Sequence, residues 1–457
     1  MSARRRALLA LVLSLALLLT ACSGPSTGPP RPQDAAGPSG DDPPDAGEGS
    51  TSASRTDLTG AQVTVRGPAS RVEAEAINAV IDRTFNDPYG AQARYLGSGT
   101  FEQDLPRDIA AGDPPDVALY PQPGAVLAQA AAGNLVALDE LGFDLDELRE
   151  VFGEALLALG AYQGRYYGLP TNASLKSLIW YHLPTFEARG YAVPTTWEEL
   201  VALSERMLSD GSTPWCLGTG SDAATGWPAT DWLEDIVLRD AGPAVYDAWV
   251  AGEVAFDDPA IRAAAERMAE ITHHEGFVLG GTDAVPDTDY RDAPLPLFDD
   301  PPGCLLHRQA SFIVSFFPDD VVIGEDVEVF AFPAIDGADG ALIAGELAVA
   351  FNDRPEVASF LEVFSGREAQ CAQGSFAGVA RISPNMETSA DCYRDPVVAL
   401  SAETLLTALE AGTARFDASD LMPPAVGSGS FWSGMNAWMR GAELEEVLAD
   451  IAESWGD

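Results

Sequence analysis

The sequence predicts an α/β protein of two lobes, and three observations carry that expectation. A chain of 457 residues exceeds what one hydrophobic core ordinarily organises. Strand-like and helix-like patterns alternate through its first part at the spacing of parallel βαβ units. From Gly164 the texture changes to a strand-like run and then several helices, as a second lobe requires. Apolar residues make up 46% of the chain, enough for a core in each.

The first residues address the protein. Arg4-Arg5-Arg6 precedes an apolar run from Ala7 to Thr20, too short to span a bilayer comfortably, so residues 1–21 read as a signal peptide. The run ends Leu19-Thr20-Ala21-Cys22, which resembles a bacterial lipobox. Cleavage there would leave Cys22 lipid-modified and hold the protein on the outer face of the bacterial cell membrane. Residues 22–57 then form a tether, because Ser23 to Thr56 is rich in Pro, Gly, Ser and Asp with almost no large apolar side chain.

Folding is expected to begin with a strand at Ala61–Arg66. Ser70 offers an N-cap with Glu73 three residues on, and Ile77, Val80, Ile81 and Phe85 form a helical stripe. A second strand at Ala93–Leu96, a helix at Phe101–Ala111, a third strand at Pro115–Tyr120 and a helix at Ala125–Ala132 continue the alternation. Ligands of such sheets collect beyond the carboxyl ends of the strands, which nominates the loops Ser98–Glu102 and Tyr120–Gly124. Ser174–Tyr181 reads as one strand with Lys176 inside it, and Thr196 caps a helix that begins near Trp197. Helical patterns run to about Glu275, and the Pro- and Gly-dense stretch to Gly303 reads as an irregular surface or cleft segment. Arg308–Phe317 reads as a strand returning to the first lobe, followed by strands at Val327–Ala331 and Glu346–Phe351, with helices from Arg354 onward. The expected division is therefore 58–172 plus about 308–352 for lobe 1, and 173–307 plus about 353–457 for lobe 2.

Charge narrows the partners. With 26 Lys and Arg against 70 Asp and Glu, the formal net charge is −44. Such a surface repels phosphate backbones, so no nucleic acid is expected as a partner. Lys176 is the sole lysine among those 26 cations; a compact ammonium is needed there, or it has survived by chance. After Cys22, four cysteines remain: Cys216, Cys304, Cys371 and Cys392. An even count in an exported chain favours two disulfides in one of three pairings. Cys216 with Cys304 and Cys371 with Cys392 is favoured, the second closing a short loop. No Cys-x-x-Cys is present and His273-His274 are adjacent, so neither a metal nor another cofactor is expected.

The order of lipobox cysteine, tether, βαβ lobe, Asp113-Pro-Pro-Asp-Val117, Gly164-Arg-Tyr-Tyr-Gly-Leu-Pro170, Trp180-Tyr181 and Pro194-Thr-Thr-Trp197 resembles the extracytoplasmic sugar-binding proteins of ABC importers. Pro214-Trp-Cys216, Ala224-Thr-Gly-Trp-Pro-Ala-Thr-Asp-Trp232, Phe256-Asp-Asp-Pro259, Pro301-Pro-Gly-Cys304, Phe416-Asp-Ala-Ser-Asp-Leu-Met-Pro423 and Phe431-Trp432 are most similar to the α-glucoside-type subgroup. The resemblance implies a periplasmic-binding-protein-like fold, two α/β lobes joined by crossing strands with a ligand clamped between them. It also implies that the ligand is an oligosaccharide, an α-glucoside, captured by closure of the lobes and delivered to membrane permease subunits and their ATPase. Ala344-Gly345-Glu346 departs from the pattern, since an aspartate is expected there. A monomer is expected.

A sugar offers an apolar C–H face and a rim of hydroxyls, so its site needs flat aromatic faces beside fixed acceptors. Trp227 and Trp432 are the expected stacking rings, and Asp231 and Asp420 the expected hydroxyl acceptors. Lys176 would donate to a hydroxyl or hold a carboxylate in place; Tyr120 and Glu102 are nominated by their loops. Trp232 belongs to an apolar helical stripe with Leu233, Ile236 and Val237, and Trp197, Trp249, Trp438 and Trp455 likewise read as helix-face packing. No catalytic residue is expected. A secreted hydrolase or a glycan-binding surface lipoprotein are the competing readings. The first needs two carboxylates facing across a bond, whereas Asp231, Glu234 and Asp235 follow one another at helical spacing, and no Gly-x-Ser-x-Gly elbow with a plausible histidine is present.

Overall fold

Strand β1 (Gln62–Gly67) alternates outward and buried residues, with Val63 and Val65 inside. Helix α1 (Arg71–Ile81) lays Ile77, Val80 and Ile81 on them, and Phe85 follows in the same core. The capping box expected at its start does not form: Ser70 makes no side-chain cap, and Arg71 enters the helix at a φ of 54°. Strand β2 (Gln92–Gly97), helix α2 (Phe101–Ala111), strand β3 (Val117–Tyr120) and helix α3 (Pro123–Ala131) complete the expected alternation. Both β2 and β3 pair parallel with β1. The computed structural model describes residues 58–376 and 380–456. The expected signal peptide, the lipidated Cys22 and the tether lie outside the described residues.

The run expected as one strand across Lys176 is two. Strand β4 (Gly168–Leu175) belongs to the first sheet, and β5 (Leu178–His182) is the middle strand of a second, three-stranded one. Lys176 and Ser177 make the crossing, tied to the opposite strand as the Lys176 amide donates to the Leu342 carbonyl and the Ser177 hydroxyl accepts from the Leu342 amide. Helix α4 (Trp197–Ser209) is capped by the Thr196 side chain, which accepts from the Glu199 amide at 3.2 Å. Helix α5 (Trp227–Asp240) is buried from Pro228 to Arg239 and forms the axis of the second core.

Three expectations about the returning chain are corrected. Strand β6 (Leu306–Arg308) pairs with β5, and Ser311–Phe316 is 3₁₀-helical where a strand into the first lobe was expected. The reason is that β7 (Val327–Ala331) covers the other edge of β5, so neither edge of that strand is left for a longer partner. Strand β7 thus joins the second sheet, not the first. Strand β8 (Ala341–Ala350) alone carries the return; its second half pairs antiparallel with β3, while β4 runs along its other edge with a register shift between Glu346 and Leu347. Helices α6 (Pro355–Ser365) and α7 (Arg367–Gly374), expected in the second lobe, bury Val357, Phe360, Leu361, Phe364, Ala369 and Ala372 in one core with Val63 and Val65. The chain leaves β8 inside the first sheet, and the connection to α6 is too short to carry that apolar face elsewhere.

Strand β9 (Ala414–Phe416) pairs parallel with the first half of β8. It leads into the short helix α8 (Ala418–Leu421) and, through an irregular helical segment, α9 (Trp432–Met439). The second core holds Trp197, Trp215, Trp232, Trp249 and Trp438, with Trp232 edge-on to Trp215 at 5.2 Å, and Trp455 packs against it. Trp197, Trp232, Trp249, Trp438 and Trp455 take the packing roles expected of them, and Trp215 joins them. Cys216 bonds Cys304 and Cys371 bonds Cys392, with Cα separations of 5.6 Å and 4.9 Å, the favoured pairings. Among the described residues no helix is long and apolar enough to cross a membrane.

Candidate functional site

A cavity of about 160 Å³ opens where β1, β2 and β3 end, beside the register shift in the middle of β8. Ala69 contributes from the end of β1, Ser98 and Gly99 from β2, Pro121 and Gln122 from β3, and Gly345 and Glu346 from the register shift in β8. Ser174 and Lys176 come from the β4–β5 crossing, and Trp227, Asp420 and Trp432 from the second core's side. A cleft at strand carboxyl ends follows from the parallel arrangement, since the loops there face one another across the sheet.

One glycine brings the start of α5 against the backbone at the start of α9, so that Trp227 and Trp432 line one cavity. Gly226, at a φ of 124°, precedes α5, and a Cβ on it would stand 2.4 Å from the Trp432 carbonyl oxygen. Trp227 is half-buried, with its ring 4.9 Å from that of Tyr290 and 5.0 Å from the Lys176 ammonium. Trp432 is held from behind, its indole N–H donating to the Ser419 hydroxyl at 3.1 Å.

Beneath the cavity lies a buried ion network. The Lys176 ammonium donates to Asp231 at 2.7 Å and to Asp417. Arg308 donates to the second Asp231 oxygen at 3.0 Å, to the Asp231 carbonyl at 2.9 Å, and to Asp235. Arg239 and Ser177 complete the shell of Asp235 at 2.7 Å and 2.5 Å. Both carboxylate oxygens of Asp231 are thus engaged. It is fully buried and does not line the cavity, which corrects its expected role as a hydroxyl acceptor. One helical turn past Trp227 its side chain points inward, under the wall that Trp227 faces. Tyr120 is corrected too: it is 4% exposed, packs its ring edge on Phe101 at 5.4 Å, and lies outside the lining, the alternation of β3 having turned it into the core. Glu102, Lys176, Trp227, Asp420 and Trp432 do line it.

Burial governs the titration of this region. It pushes Glu102 up to about 7 and Glu73 up to about 7, the latter against the pull of Arg381 and Arg291. Burial and then the neighbouring Asp417 charge hold Asp420 well above the usual carboxylate range. In Asp417 itself burial is outweighed by Lys176, whose ammonium keeps it below its ordinary value. Asp231, Glu234 and Asp417 offer oxygens within 4.8 Å of one another, the spacing of a cation site, but the ammonium of Lys176 already bridges two of the three.

Several lining residues escaped the sequence reading: Glu73, Asn172, Tyr290, Arg291, Phe312 and Arg381. Tyr290 and Arg291 fall in the Pro- and Gly-dense segment that reads as a cleft candidate, and this was their only signal. Arg381 ion-pairs with Glu346, which gives the departure at Glu346 a partner that no spacing could reveal.

Residues 69–370 match the family described as bacterial extracellular solute-binding protein. The chain is 40% identical over 396 residues to the osmoprotective compounds-binding protein GgtB of Synechocystis sp., covering 86% of this chain and 92% of that one. It is 39% identical over 417 residues to the alpha-glucosides-binding periplasmic protein AglE of Rhizobium meliloti, covering 87% and 88%. Among solved structures, maltose-bound MalE3 of T. maritima superposes with a TM-score of 0.67 at 20% identity, over 87% of this chain and 99% of that one. That likeness bears on the fold, which is the two-lobed one with crossing strands and a cleft between the lobes.

Proposed function

This chain belongs to the bacterial extracellular solute-binding proteins, and we propose that it captures a compact carbohydrate, an α-glucoside, and delivers it to the permease subunits and ATPase of an ABC importer. The observation that carries the reading is the cavity itself. Two indoles, from α5 and α9, and two carboxyls that have no ion-pair partner among the described residues, Glu102 and Asp420, come together there from elements built into different cores. Indole faces supply apolar contact to sugar C–H faces, on the order of 0.5–1.5 kcal/mol per ring by analogy with aromatic pairs. Carboxylates select which hydroxyls are met, through bonds about twice as strong as neutral ones. The names of GgtB and AglE, one reading osmoprotective compounds and the other α-glucosides, are consistent with a small polyhydroxylated ligand.

On this reading lobe 1 comprises 58–172 with β8, α6 and α7, and lobe 2 the remaining described residues. The Lys176-Ser177 crossing and its counterpart in β8 serve as the hinge. A ligand held by both lobes stabilises the closed state, whereas one touching a single lobe shifts nothing. The family is extracytoplasmic; lipid anchoring through Cys22 and a monomeric state are part of the proposal.

A thermal-shift screen over mono-, di- and trisaccharides tests it. A ligand that binds only the folded state raises its stability by about 2.7 kcal/mol at a hundred times Kd. At least one small α-glucoside is expected to raise the unfolding temperature and, in parallel, to contract the protein in small-angle scattering. Chromogenic α-glucosides are expected to survive incubation. No shift across the panel, or turnover of the chromogenic substrates, removes the reading.

A further inference from the structure

Carboxyl groups outnumber their cationic partners around the cavity, and the surplus acids stay uncharged by holding protons. Lys176 is matched by Asp231 and Asp417, Arg291 by Asp289 at 2.8 Å, and Arg381 by Glu346. No cation of the lining is left over. Glu73, Glu102 and Asp420 line the same cavity, and none of the three has an ion-pair partner among the described residues. Glu73 still lies in the field of two arginines, Arg381 and Arg291. Glu102 has its own backbone amide and the Gln122 side chain for support but no cation, and the cation that acts on Asp420, Lys176, is already shared by two other carboxylates. Asp420 is 6% exposed, and its carboxyl makes no hydrogen bond to the protein among the described residues. As an anion such an acid is costly, so it keeps its proton until a cation that enters the cavity takes that proton's place.

A neutral sugar meets such an acid only in part, since hydroxyls bring hydrogen bonds without charge. Resting on the reading of this cavity as a glycoside site, we propose that it accepts glycosides bearing a protonated amine, with the ammonium held by Glu102 and Asp420 beside the indole of Trp432. The two acids come from α2 and α8 and line the same cavity of about 160 Å³. An ammonium between them forms charge-assisted hydrogen bonds to both. Trp227 and Trp432 add faces that attract a cation, as the ring of Trp227 already does with Lys176 at 5.0 Å. At longer range the net charge of −44 draws cations toward the molecule and repels anionic sugars.

The test is calorimetric titration of the protein at pH 7 with methyl α-D-glucoside, with its four positional isomers that carry one amine in place of a ring or primary hydroxyl, and with the N-acetyl form of each. At least one amino isomer is expected to bind tenfold or more tightly than the parent, and its N-acetyl form to lose that gain. In the Glu102→Gln/Asp420→Asn double variant the ratio of amino to parent affinity is expected to fall below two. If the double variant does not fold, Glu102→Gln alone is expected to reduce the ratio at least threefold. Parent binding without any amino preference overturns the amine assignment and leaves the sugar reading standing. An amino preference that survives in the folded variant overturns it as well, by tracing the gain to the acidic surface at large. No binding of any compound in the series sinks both.

Discussion

Single side chains divide here into those that meet the cavity and those that hold its wall. Trp227 belongs to the first kind: its ring is half-buried and faces the cavity, so Trp227→Ala is expected to weaken α-glucoside binding at least tenfold in calorimetry while the unliganded protein unfolds at nearly its original temperature. Asp231 belongs to the second. Removing it would strand Lys176 and Arg308 as buried cations, and breaking such a pair ordinarily costs about 3–5 kcal/mol. Asp231→Ala is therefore expected to lower stability severely in chemical denaturation, with Asp231→Asn milder. The two residues lie four positions apart on one helix, and the sequence marks them as equals. They share a helix face, and what separates them is depth: Asp231 is fully buried among its cations and Trp227 half-buried at the cavity.

At the scale of elements, the junctions matter more than the elements. Gly226 lets the start of α5 approach α9 at a backbone conformation that L side chains rarely adopt. Gly226→Ala adds strain of about 1–3 kcal/mol and drives a Cβ against the Trp432 carbonyl. Loss of sugar affinity together with a lowered unfolding temperature is expected, and an unaffected variant would mean that the two tryptophans do not depend on this contact. Strands β1 to β3 and helices α1 to α3 were legible because alternation with period two and period 3.6 is local. The break at Lys176-Ser177 was not, because both flanking strands are apolar and extended, and what parts them is the change of sheet partner from β8 to β6 and β7. The same cause turned the expected strand at Arg308–Phe317 into a short strand and a 3₁₀ helix.

For the whole molecule, the concentration of buried acids predicts a pH response. In Glu102 burial raises the folded pKa to about 7, above the unfolded value near 4.5. Between those values the folded state binds more protons than the unfolded one, so this group's contribution to stability declines as pH rises through the window. His307, pushed by burial down to about 4, acts in the opposite sense over part of the same range, so the wild-type curve alone does not isolate Glu102. The clean comparison is Glu102→Gln, which is expected to be stabilised relative to the parent progressively from pH 5 to pH 7.5 in thermal unfolding of the unliganded protein. A constant offset across that range would assign Glu102 an ordinary pKa.

The sequence by itself determined the class of fold, the alternation of the first lobe and the family to which the chain belongs, and it favoured the disulfide pairing that the structure shows. These rest on local periodicity, on long contiguous motifs and on a cysteine count that allows few pairings. It also named five residues that line the cavity: Glu102, Lys176, Trp227, Asp420 and Trp432. Tertiary structure alone decided that Asp231 and Tyr120 stand outside it, that Asp417 and Arg308 hold the network together, and that Arg381 pairs with Glu346. Those partners lie between 35 and 241 residues apart along the chain. An ion pair at such a distance leaves no period or spacing to read, because its geometry exists only once both cores have packed.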